Sequence, residues 1–120
     1  MLFRSMRGSA VLIELNGRYQ RGYVGEYIST KTNELEVHFP GKDGTRIVTR
    51  AYVVQDEKPD VHELVIGKLV VGEDAASPGL IKNGKIEQIK DSVYTIKTND
   101  ETWKSDLNNI RIVKMPAFCS

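Results

Sequence analysis

The chain has 120 residues with 17 basic and 16 acidic side chains, and a formal charge of +1 gives no whole-chain attraction for nucleic acid, membranes or acidic substrates. One cysteine, Cys119, excludes an internal disulfide and a cysteine-based zinc cage, and no apolar run approaches the roughly 18 residues that a membrane span needs. The opening MLFRSMRGSAVLIEL lacks a continuous apolar signal region, so the expectation is a soluble intracellular domain, or two very small ones sharing an interface.

Helical periodicity is nearly absent. Apolar residues alternate or come in short runs broken by turn residues, which predicts an all-β chain. AVLIEL (10–15) is a strand ended by Asn16-Gly17, a hairpin signal because both residues tolerate positive φ. YQRGYVGEYI (19–28) follows, then the polar turn STKTN. ELEVHF (34–39) places Leu35, Val37 and Phe39 on one face. The turn PGKDG reverses the chain, TRIVT (45–49) pairs back, and AYVV (51–54) closes the unit, with Tyr52 expected to cap the core.

QDEKPDVHE (55–63) holds the densest acidic cluster and a proline, and reads as a linker. The second half then repeats the plan: LVIGKLVV (64–71), LIKNGKIEQIK (80–90), SVYTIKT (92–98), TWKS (102–105) and NIRIVK (109–114). KLVVGE lies on AVLIEL, NGKIEQIK on RGYVGEYI, SVYTIKT on NELEVHF and TWKSDLNNIRIV on TRIVTRAYVV. The second strand carries the same spacing in both halves, Gly22, Val24, Tyr27 and Gly84, Ile86, Ile89. An inward series that steps by two and then by three has gained a residue, which predicts a β-bulge. The two glycines leave room for a neighbouring strand to cross closely. Bent second strands suit small closed barrels. The expected fold is two packed, SH3-like five-stranded barrels at 8–55 and 64–115, joined by an acidic linker at 56–63.

The strand order and the phrases VLIELNGRYQRGYV, LEVHFPGKDGTRIV, LVIGKLVV and NGKI resemble a tandem Tudor-like module of the chromatin-reader superfamily, over residues 8 to 114. The resemblance implies a nuclear, chromatin-associated protein that binds a histone-like peptide, with methyl-lysine as one candidate mark. Such readers surround a cation with aromatic side chains and an acid, each good contact contributing about 0.5–2 kcal/mol. Carried over on the Gly22 register, the cage positions hold Ile13, Gln20, Phe39 and the Lys42-Asp43 turn, where only Phe39 is aromatic and Asp43 is the acid. Tyr19 is adjacent to the strand-two position and needs a one-residue slip to join them. In the second unit the matching places hold Val71 or Glu73, Lys82, Lys97 and Asp100, and a lysine there repels the cation. Trp103 is either half-buried packing or the wall of a peptide groove, and Tyr23 and Tyr52 carry the same ambiguity, with Tyr23 facing outward.

Catalysis finds little footing. His38 and His62 have no metal-ligand spacing, no nucleophile-base pairing is visible, and the glycines of PGKDG belong to a hairpin turn. The chain is therefore expected to be a non-enzyme without cofactor or metal, acting as a monomeric module. Two rivals to the reader stand: a protein-protein scaffold without a cage, and small barrels binding RNA or DNA through Lys82, Lys85, Lys90, Lys97 and Lys104, or Arg18, Arg21, Arg46 and Arg50.

Overall fold

The repeat written in the sequence reappears as two antiparallel sheets with one strand order. The computed structural model describes residues 8–41 and 44–113. Among these, residues 8–14 and 20–56 form one compact unit, and 15–19 and 57–113 the other. The first sheet contains β1 (Ala10–Leu15), β2 (Arg18–Ser29), β3 (Glu34–His38), β4 (Thr45–Thr49) and β5 (Val53–Gln55), in the order β4-β3-β2-β1-β5. The second contains β6 (Leu69–Glu73), β7 (Ile81–Lys90), β8 (Val93–Lys97), β9 (Thr102–Asp106) and β10 (Ile110–Ile112), in the order β9-β8-β7-β6-β10. Each is a four-strand meander whose fifth strand returns to the free side of the first, setting Ile13 opposite Val53 and Gly72 opposite Ile110. A 3-10 turn introduces the fifth strand in both, at Arg50–Tyr52 and Leu107–Asn109.

The chain is thus all-β, but neither sheet is a closed barrel, because no ladder joins β4 to β5 or β9 to β10. The second sheet nevertheless curls. The Ala75 amide donates to the Lys104 carbonyl at 2.9 Å, and the Trp103 indole donates to the Gly72 carbonyl at 3.2 Å, so β9 reaches β6 across two intervening strands. The core of this unit gathers Leu64, Val70, Ile86, Tyr94, Ile96, Trp103 and Ile110. In the first sheet Val11, Ile13, Val24, Leu35, Val37 and Val53 are buried.

Both bulges are present. Val24 faces Val37 and Ile28 faces Leu35, so four steps along β2 answer two along β3. In β7, Ile86 to Gln88 answers the single step from Ile96 to Thr95. The inward series does not continue beyond them, however: Tyr27 and Ile89 are exposed, because each bulge turns the end of its strand away from the core. A bulge also strips amides of ladder partners. In β2 a single carboxylate answers two of them, Glu36 Oε1 accepting from the Glu26 amide at 3.0 Å and the Tyr27 amide at 3.2 Å, with His38 Nε2 at 3.7 Å from the same oxygen. Glu36→Ala should therefore cost about 1–2 kcal/mol, while Glu36→Gln, which keeps an accepting oxygen, should recover most of it. Urea unfolding decides this, and an alanine variant with the parental midpoint would remove the carboxylate from the account of the bulge.

Three sequence expectations are corrected. AYVV does not begin as a strand, since residues 50–52 make the 3-10 turn and pairing starts at Val53. LVIGKLVV is not one strand either: the Lys68 amide closes on the Val65 carbonyl at 3.0 Å with Gly67 at φ +91°, a turn that delays β6 until Leu69. Finally, the fifth-strand pairing matches Ile13 with Gly72, so the first strands of the two units align one residue away from the laying of KLVVGE on AVLIEL.

Candidate functional site

Among the described residues, the cage positions of the first unit bring one aromatic ring, that of Phe39. Ile13 is fully buried, and Gln20 and Phe39 are half-buried. Phe39 lies against Gly22, its Cδ1 3.4 Å from where a Cβ on that glycine would stand. Lys42 and Asp43 lie outside the described residues. Strand alternation puts Tyr19 and Tyr23 on the opposite face of β2 from Gln20 and Gly22. There Tyr19 is buried and Tyr23, opposite His38, is exposed. Tyr52 does not cap the core, because the 3-10 turn leaves the residue 56% exposed. Of Tyr19, Tyr23 and Phe39, only Phe39 brings a ring to the Gln20 side.

In the second unit the aromatic is present and already has a cation. Trp103 is 4% exposed, so it is core rather than half-buried packing or a groove wall. Lys82 Nζ sits 4.6 Å from its ring centroid and pairs with the Glu101 carboxylate. An ammonium held over an indole face and beside a carboxylate is satisfied twice. Lys82 stands at the place of Gln20 by the shared glycine register, and its ammonium is occupied within the unit. Lys97 is a second correction: it aligns with His38, each facing the residue after the shared glycine, and Thr98 stands at the place of Phe39.

The basic faces are also resolved. In the first unit Arg21 lies 4.0 Å from Asp56, and the Arg50 guanidinium donates to Asn33 at 2.9 Å. In the second, Lys82 turns inward, whereas Lys85, Lys97 and Lys104 share the outward face of β7, β8 and β9.

Beside that face lies an open groove of about 720 Å³, lined by Ile66, Gly67, Leu69, Asn83, Gly84, Lys85, Ile86, Glu87, Lys97, Thr98 and Asn99. Its apolar end is made by Ile66, 67% exposed at the corner of the Gly67 turn, and Leu69, 43% exposed. The turn is anchored by the Gly67 amide, which donates to Ile86 at 2.7 Å, and by the Ile86 amide, which donates to Lys68 at 3.0 Å. Two exposed aliphatic side chains are thus held on a braced backbone instead of a loose loop. Sequence reading missed this groove because LVIGKLVV reads as one continuous strand; Gly67 inside it was the available signal.

A smaller hollow contains Glu73, Asp74 and Asp106, but its acids serve local backbone: Glu73 accepts from Gly79, Asp74 from Ala76 and Asp106 from Asn108. Among the described residues no cluster of three potential metal ligands occurs. No known family model matches the chain, and no curated protein matches it.

Proposed function

We propose that the chain is a non-enzymatic binding module of two tandem Tudor-like units of SH3-like plan, acting as an adaptor that docks a peptide segment of a partner protein without a methyl-lysine cage. The observation that carries this reading is the groove of the second unit, where exposed Ile66 and Leu69 stand beside the neutral hydrogen-bonding groups of Asn83, Thr98 and Asn99. An apolar anchor site flanked by a few polar groups is the usual chemistry of peptide docking. The absence of a cage is supported by Lys82 on Trp103 and by Gln20 and Thr98 at positions where a reader carries aromatics. A chromatin setting and a nuclear location accompany the Tudor-like resemblance.

Selection from a display library of short unmodified peptides on the full chain tests this. Enriched peptides should bind the parent chain and lose about tenfold or more in affinity with Ile66→Asp, while Phe39→Ala leaves them unchanged. A library that yields no binder, together with a trimethyl-lysine peptide whose binding disappears in a folded Phe39→Ala variant, would replace the adaptor by a reader.

A further inference from the structure

The groove contains a pairing that sheet stability alone would avoid. Leu69, Lys85 and Lys97 form one row across β6, β7 and β8, each directly opposite the next. Like charges directly opposite one another on an antiparallel pair repel. Glu87 lies 3.6 Å from Lys97 and answers one charge of the two, whereas Lys85 has no acidic partner among the described residues. Lys104, one row along on the same face, adds a third ammonium.

We propose that this groove selects an acidic peptide segment carrying an aliphatic anchor. The inference rests on the peptide-docking reading and names its partner class. The anchor covers Ile66 and Leu69, removing two exposed aliphatic side chains from water. A carboxylate lies between Lys85 and Lys97 and turns a repulsive cross-strand pair into a bridged one. Asn83, Thr98 and Asn99 meet the peptide backbone at the rim. A basic, histone-like tail would bring its own cations against these lysines. A single-stranded nucleic acid would find the charges without a stacking platform, since none of the groove-lining residues is aromatic.

Fluorescence anisotropy on the full chain supplies the test, with a labelled peptide alternating aspartate and valine as probe. Its controls replace aspartate by lysine, replace valine by serine, or substitute a polyuridine strand. The aspartate-valine peptide should bind about tenfold or more tightly than either control peptide, and weaken as salt rises. Ile66→Asp and Lys85→Glu, both at exposed positions, should each weaken it about tenfold, with circular dichroism confirming the fold. Lys85→Glu should also gain affinity for the lysine peptide. Ile66-dependent binding of the lysine-valine peptide to the parent chain would overturn the acidic preference and leave peptide docking standing. Binding of no peptide would overturn both, and Lys85-dependent, Ile66-independent binding of polyuridine would assign the face to nucleic acid instead.

Discussion

Trp103→Ala should destabilise the protein by about 3–5 kcal/mol, the range for removing a large aromatic from a packed core. The indole is buried among Leu64, Val70, Ile86, Tyr94, Ile96 and Ile110, so its removal leaves a void that short β-strands cannot collapse to fill. Two polar debts follow. The Gly72 carbonyl loses its indole donor, and Lys82 loses the ring beneath its ammonium, keeping Glu101. Trp103→Phe separates these effects, since it preserves most of the ring contact but no N–H, and should cost about 1–3 kcal/mol. Urea unfolding followed by circular dichroism is the measurement, because the tryptophan signal disappears with the residue. Against a total stability of about 5–15 kcal/mol the alanine variant should unfold at visibly lower urea. A midpoint equal to the parent's would show that the core does not depend on this ring.

Gly84→Ala and Gly22→Ala should each cost about 1–3 kcal/mol, although both add a methyl group to a strand that alanine tolerates elsewhere. A Cβ on Gly84 would stand 2.8 Å from Ile96 Cγ2 and 2.8 Å from the Lys97 carbonyl oxygen. On Gly22 it would meet Val37 Cγ1 at 2.7 Å and the His38 carbonyl oxygen at 2.9 Å. A flexible side chain can swing away from such a contact, but a carbonyl inside a ladder moves only with its strand. The same thermal or urea unfolding checks both, and stability unchanged in either variant would mean that the facing strand has slack at that position.

Those glycines also show what could be read before the fold was known. Their shared spacing implied a close crossing and a bulge, and both occur at equivalent places. The bounds of β1 and β4 were legible as well, because Asn16 and Gly17 take positive φ at the first turn and TRIVT lies between turn residues. Tyr27 and Ile89 were misread because periodicity describes a straight strand and says nothing of where a bent one leaves the core. Ile66 was hidden for a related reason: an apolar run carries no mark of the turn within it except one glycine. The candidate site depends on still longer-range information. Lys82 and Trp103 are 21 residues apart, and nothing local to either announces that they meet. The Leu69, Lys85 and Lys97 row likewise exists only once three strands are in register.

The glycine opposite Ile110 has a consequence for how the two units could diverge. Where the first unit has Ile13 on its first strand and Arg46 on its fourth, the second has Gly72 and Trp103. A Cβ on Gly72 would collide with Ile96 Cδ1, and Ile96 is the residue that faces Trp103 across β8 and β9. The atoms that such a Cβ would meet belong to Ile96 and Ser105, and the Gly72 carbonyl accepts from the Trp103 indole, so this glycine is tied to both the third and the fourth strand of its sheet. A graft of the first unit's opening strand into the second would set Ile13 where Gly72 stands, against Ile96 and Ser105, and would be overfilled; that strand has to travel with the two it packs against.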